Sequence, residues 1–337
     1  MEVYSPTNDV SGVATTFLAC LEAPVRREIE FCKQYGKPRP HVERYLREIY
    51  GFQHMSPTIH VQLLQDYLKL APHLNISSEN RFSRPVLRHP DFSPSNILVS
   101  NSNEIVGIID WQHAVILPLC LCAGIPKHYQ NWGDPLSEKL AKPETKLPVD
   151  FESLDPQQQL TVRETLRKRL VHFYYAALTM RQMPDHFDAI RNENAMLRAK
   201  LFDRAGAPWE GDAVSLKYTI IQALNKWPMP LEEENFHSDS EDTTTVPVER
   251  PLNYSDVEIR ECVDAYSQED EKMQDLMEMR EVLGIDTLGW LPNDEQLESS
   301  KALAQSIKSG MLEHSSSETE RIAVRDHFPF DDHDEDM

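Results

Sequence analysis

Along most of the chain, apolar residues recur at helical spacing; in one short stretch they come instead in runs. Residues 12–35 read as a helix interrupted at Pro24, and residues 41–50 (HVERYLREIY) as a shorter amphipathic helix stopped by Gly51. Ser56-Pro57 offers an N-cap and the proline favoured at a first helical position. Leu63, Leu64, Tyr67, Leu68 and Leu70 then form the apolar face of that helix. Between residues 85 and 110 the period changes. Ile97–Val99 and Ile105–Ile109 flank the turn-forming Ser100-Asn101-Ser102-Asn103, which predicts a β-hairpin. The most apolar run, Ala114 to Ile125, has 12 residues including Pro118. It is too short for the roughly 20 residues a membrane helix needs, and reads as buried core.

Helical spacing resumes at Asp155-Pro156 and carries an apolar stripe from Leu160 to Met183, with Tyr174 and Tyr175 within it. Two further helices are predicted over 185–204 and 213–226, separated by Gly206 and the Trp209-Glu210-Gly211-Asp212 turn. Ser255 with Glu258 makes a capping box for a long helix to about Leu283, ended by Gly284, and another helix follows Asn293. The pattern predicts an α+β chain, mostly helical, with one hairpin. Four stretches follow: a lobe over 1–230, an acidic disordered linker over 231–249, a helical extension over 250–330 and an acidic tail over 331–337.

Charge sharpens that division. The 337 residues carry a formal net charge of −21, yet residues 231–337 hold 30 acidic and 8 basic side chains, while 1–230 are almost neutral. Such a field repels a polyanion, which argues against nucleic acid as a partner; the acidic C-terminus would suit a basic partner, but a solvated, disordered tail is its default reading. Five cysteines are sparse and odd in number, as suits reduced thiols inside a cell. Cys120-x-Cys122 with His113 lacks a second ligand pair and reads as buried thiols in an apolar run, not zinc. The first residues include Glu2 and Asp9 with no Arg before Arg26, unlike a mitochondrial presequence, and they contain no apolar signal core.

One cluster carries chemistry. His89-Pro90-Asp91-Phe92-Ser93-Pro94-Ser95-Asn96 has the His-x-Asp-x4-Asn spacing of a kinase catalytic loop, in which the Asp accepts a substrate hydroxyl's proton and the Asn holds magnesium. Ile108-Ile109-Asp110-Trp111 adds an acidic residue at the end of an apolar strand. Residues 96 and 110 are symmetric about 103, so a hairpin centred there sets Asn96 opposite Asp110, with Asp91 five residues before its open end. Taken singly, Asp91 and Asn96 are also good turn formers and His89 a plausible core histidine. The Asp-Trp element at the matching separation favours the catalytic reading. Trp111 is expected to pack beneath the loop.

LRHPDFSPSNILV followed by IVGIIDWQH resembles the aminoglycoside-phosphotransferase-like branch of the kinase superfamily. The stretches REIEFCKQYGKPRP, YLREIYG, IDWQHAVILPLCLCAGIP and RAKLFDRAGAPWEGD, with the acidic C-terminus, resemble the fungal phosphotransferase-family proteins named for altered inheritance of mitochondria. The resemblance runs over about residues 22 to 337. It implies a kinase-like C-terminal lobe whose hairpin is catalytic, with transfer of phosphate from ATP to a hydroxyl of an unidentified small molecule or protein. It makes Asp91 the base, His89 its supporting residue, Asn96 and Asp110 the Mg2+ ligands, and it implies a mitochondrial location.

The same resemblance exposes a departure. A kinase places a strand-borne Lys, a helix Glu and a phosphate-covering loop before its catalytic loop. Residues 1–88 contain only Gly12, Gly36 and Gly51, and only Lys33, Lys37 and Lys69, none in an alternating strand. On that reading the nucleotide lobe is missing. Either the sequence begins downstream of it, which would also remove any presequence, or the protein is a pseudokinase that binds partners without catalysis.

Overall fold

In a computed structural model the structure describes residues 14–231, 249–285, 289, 291 and 294–331. The expected linker 231–249 and tail 331–337 lie outside the described residues, apart from residues 231, 249 and 331 at their edges. The class is as expected, α+β and mostly helical, with two small antiparallel sheets.

The helices follow largely from their caps. Helix α1 (Phe17–Tyr35) keeps Pro24 inside it, where an interruption was expected. A helical proline forfeits one backbone hydrogen bond, but Leu21, Val25, Ile29 and Cys32 form a continuous buried stripe whose burial outweighs that loss. Residues 41–50 form no α-helix, only a 3-10 turn at Arg44–Leu46. His41 supplies competing bonds: its Nδ1 accepts from Glu43 N–H at 3.1 Å and its carbonyl from Arg47 Nε at 2.8 Å. Helix α2 (Pro57–Leu74) starts at the predicted proline.

Strand β1 (Pro85–Arg88) leads to β2 (Ile97–Val99), β3 (Ile105–Ile108) and β4 (Val115–Pro118). The expected hairpin is β2–β3, and the β1–β4 pairing around it was not foreseen. Arg88 faces Val115 and Ile97 faces Ile108, so the two hairpins are concentric. The segments between them, 89–96 and 109–114, are thereby held side by side. The hairpin is centred earlier than expected: Val99 faces Ile105 at its closed end, about residue 102. A register shift at Leu98/Val99 recovers half of the difference, so Asn96 faces Ile109, whose N–H donates to the Asn96 carbonyl at 3.0 Å, and Asp110 comes one residue later. Nor is the apolar run 114–125 uniformly core. Val115 and Ile116 are exposed on β4, and burial begins at helix α3 (Leu119–Cys122).

Beyond α4 (Pro135–Glu138), capped by Asp134, the long α5 (Pro156–Gln182) starts at a capping box made by Asp155 and Gln158. The helix expected over 185–204 is two, α6 (Pro184–Arg191) and α7 (Glu193–Gly206). Asn192 divides them, its Oδ1 accepting from Ala195 N–H at 2.9 Å as an N-cap does. Helix α8 (Val214–Asn225) precedes α9 (Asp256–Val282), which has the predicted Ser255–Glu258 box and ends before Gly284 at φ +73°. Two helices follow Asn293, α10 (Leu297–His314) and α11 (Glu318–His327). No described helix is long and apolar enough to cross a membrane.

The described residues fall into two compact units, each assembled from separated stretches. One contains Ala71–Asp203 with the residues up to Leu21 and those just after Pro228; all four strands belong to it, and Leu74, Phe82, Leu119, Cys120 and Leu201 are buried there. The other contains Glu22–Leu70, Arg204–Trp227 and the C-terminal helices. Val25, Leu64, Tyr67, Ile220 and Ala223 form its interior, and Leu283, Ala304, Val324 and Phe328 a smaller core near its C-terminus.

Candidate active site

The site is assembled at the open mouth of the concentric hairpins. His89, the first residue past β1, bridges the two segments that meet there. Its Nδ1 accepts from Asp91 N–H at 3.2 Å, which leaves the ring hydrogen on Nε2, and Nε2 lies 2.8 Å from the Ile109 carbonyl. One side chain thus ties the turn carrying Asp91 to the residue before Asp110. Trp111 braces it from the side: the rings meet edge to face at 4.7 Å, and the indole N–H donates to the Ile108 carbonyl at 2.9 Å. Trp111 therefore packs against the loop as expected, although it is partly exposed.

Asn96 is buried and holds Asp91. Its Nδ2 donates to the Asp91 carbonyl at 2.8 Å and to Asp91 Oδ2 at 3.2 Å. The other carboxylate oxygen, Oδ1, lies 3.3 Å from His128 Nε2. With both oxygens held, the carboxylate has a fixed orientation, yet its side chain is 59% exposed. It can meet a substrate hydroxyl without the loop opening. Sequence reading missed His128: it lies 37 positions downstream in an irregular segment, and a lone histidine there carries no spacing signal.

Two oxygen donors remain. With both Asn96 amide hydrogens directed at Asp91, its Oδ1 is left as an acceptor. Asp110 ends the hairpin at φ +63° with an exposed carboxylate that makes no hydrogen bond or ion pair among the described residues. A non-glycine residue in that left-handed region is uncommon, and an aspartate is among the few that tolerate it. An amide oxygen and a free carboxylate beside one strand crossing suit a hard cation such as Mg2+. Structure thus joins His89, Asp91 and Asn96 by direct hydrogen bonds and brings Asp110 next to them through Ile109.

A cavity of about 380 Å³ opens beside the loop, lined by Leu87, Arg88, His89, Phe92, Trp111 and Tyr175 among others. Arg88 donates to the Gly124 carbonyl at 2.9 Å and lies 3.4 Å from His186 Nε2. Burial, together with that guanidinium, pushes His186 down to about 4, so it is neutral at physiological pH.

Residues 26–120 match the model of the phosphotransferase enzyme family, which spans the whole constellation from His89 to Asp110. Two subtelomeric hrmA-associated cluster proteins, from two strains of Aspergillus fumigatus, are each 30% identical over 286 residues, 84% of this chain. The aligned part is 52% of each, so the chain spans about half the length of the curated relatives it matches. No solved structure matches.

Proposed function

We propose that the protein is a kinase-like phosphotransferase in which Asp91 accepts the proton of an acceptor hydroxyl, Asn96 and Asp110 hold Mg2+, and ATP is the phosphate donor. The observation that carries this reading is the hydrogen-bonded unit of His89, Asp91 and Asn96 within residues that match a phosphotransferase model. Bound Mg2+ would offset the charge on a transferring phosphoryl group. The protein's own part is positioning. Asn96 and His128 aim the Asp91 carboxylate, and His89 keeps the turn against Ile109 so that base and cation ligands move as one piece.

Nucleotide binding is a separate matter. Among the described residues before His89 the elements are helices and the strand β1, whose sequence is PVLR, and no strand there carries a lysine. That observation favours a second reading in which these residues bind partners without turnover. The two readings separate experimentally. In a form of the protein that turns over Mg2+-ATP, Asp91→Asn should lower phosphate transfer by about 10²–10⁴-fold with the thermal midpoint unchanged. Undiminished transfer would remove Asp91 from the mechanism. The 337 residues alone should bind Mg2+-ATP only weakly by calorimetry, since nothing described in them clasps the α- and β-phosphates. Micromolar affinity would place a nucleotide pocket inside them.

A further inference from the structure

We propose that Glu28, Cys32 and His60, all in the unit that contains Glu22–Leu70, form a site for a borderline-soft divalent cation of the zinc type. Glu28 and Cys32 stand one turn apart on α1, so both side chains leave the same helix face, and His60 comes from α2. Their ligand atoms lie within 4.8 Å of one another. Cys32 Sγ is 3.1 Å from Glu28 Oε1, and His60 Nε2 is 3.9 Å from the same oxygen. Zinc bond lengths set tetrahedral edges of about 3.4–3.6 Å for such donors, so these two distances need change by only about half an ångström, and the third is at most 4.8 Å.

The second observation is His60 itself. It is 3% exposed, and neither ring nitrogen makes a hydrogen bond of normal length and angle, although the Ala207 backbone interacts more weakly with the ring. A buried imidazole so poorly satisfied is costly, and a cation on one nitrogen relieves it. Charge also balances: one thiolate and one carboxylate neutralise a divalent ion in an interior that tolerates no net charge. Sulfur and imidazole donors select zinc-like ions over Mg2+ or Ca2+. Three protein ligands leave a fourth position for water, and of the three His60 borders a cavity of about 360 Å³.

The neighbouring trio His41, Asp212 and Glu269 is grouped as closely but is the weaker candidate. His41 Nδ1 already accepts from Glu43 N–H, so Nε2 carries the hydrogen and acts as a donor.

Binding follows M2+ + Cys32–SH → M–S–Cys32 + H+, with Glu28 Oε1 giving up its thiol hydrogen bond for the ion and keeping the one it accepts from Trp209 N–H at 2.8 Å. Cobalt(II) added to the reduced, chelator-stripped full chain is the direct probe. One ion per chain should bind, with tetrahedral visible bands and a near-ultraviolet thiolate-to-cobalt band, and zinc should displace it. Calorimetry in buffers of different ionisation enthalpy should read one proton released. Cys32→Ser should abolish the near-ultraviolet band, while Cys20→Ser keeps it. His60→Gln should weaken zinc binding by at least about 10-fold, as much as losing an outer partner costs. Should Cys32→Ser fold poorly, the wild-type chain still decides: its thermal midpoint should rise with zinc and stay put with magnesium. Absence of stoichiometric cobalt binding, or a near-ultraviolet band that survives Cys32→Ser, overturns the proposal.

Discussion

The loop at the hairpin mouth and the acidic pocket of the other unit are both built from histidines and carboxylates, but they treat them oppositely. Asp91 is held by Asn96 and His128 yet stays 59% exposed, and Asp110 faces solvent without a partner. Glu269, by contrast, has a side chain only 9% exposed, accepts from the Tyr50 hydroxyl and lies 3.7 Å from His41 Nε2. Desolvation pushes it up to about 7. Solvent stabilises the charge of the exposed pair, so orientation is all the protein has to supply there. In the pocket the protein has replaced water, and the charge itself becomes the variable.

The largest expected effect tests the buried half of that contrast. A carboxyl group at about 7 when folded and near 4.5 when unfolded makes the native state hold the extra proton between those values. Its contribution is therefore present below pH 4.5 and lost as pH rises to 7, by about 3 kcal/mol in all. Glu269→Gln keeps the neutral shape, so urea melts of wild type and variant should diverge by that amount between pH 4 and 8. Using the difference cancels the opposite trends of His41 and His60, whose burial lowers their pKa values. Parallel curves would show that the pocket is wetter than its geometry indicates.

A smaller effect should follow at the exposed site. His89→Ala removes the bond to the Ile109 carbonyl and the acceptor for Asp91 N–H, and should cost about 1 kcal/mol. Hydrogen exchange at the Asp91 amide should quicken; unchanged exchange would mean that His89 does not hold the loop. Asp134→Ala tests a second anchor in the same unit, because this carboxylate caps α4 through Leu136 and Ser137 and receives two bonds from Arg169. Losing the cap should also cost about 1 kcal/mol by thermal melting. Asp110→Asn has the least to lose, and its stability should stay within about 0.5 kcal/mol of wild type. A larger loss would give Asp110 a structural duty.

How much of this was legible in the sequence depended on how local the cause was. Asp155-Pro156 and Ser255 with Glu258 set the starts of α5 and α9 within three residues, so both were readable. The hairpin was readable from two apolar runs around Ser100–Asn103, but its register was not. The turn is centred on residue 102 at its closed end, and the bulge at Leu98/Val99 moves the pairing back by one residue, which places Asn96 opposite Ile109. Residues 41–50 looked helical because spacing records only which side chains are apolar, not that His41 competes for the local backbone bonds. His128 reaches Asp91, and β4 reaches β1, only through the tertiary fold, and neither leaves a mark in local spacing. Of the candidate site, the His-x-Asp-x4-Asn spacing picked out three residues in advance; the hydrogen bonds that join them needed coordinates.

The central claim, that Asp91, Asn96 and Asp110 form one cation-holding catalytic unit, is tested most directly by manganese(II) titration read from backbone amide signals. Manganese stands in for Mg2+, and its unpaired electrons broaden only nearby signals. At low metal the first amides to broaden should be those from residue 91 to 96 and from 109 to 111, even though most of the chain's 55 acidic residues lie elsewhere and compete. Asp110→Asn should remove that selectivity while leaving the other signals in place. Broadening that starts elsewhere in the chain, or that Asp110→Asn leaves unchanged, would contradict the account.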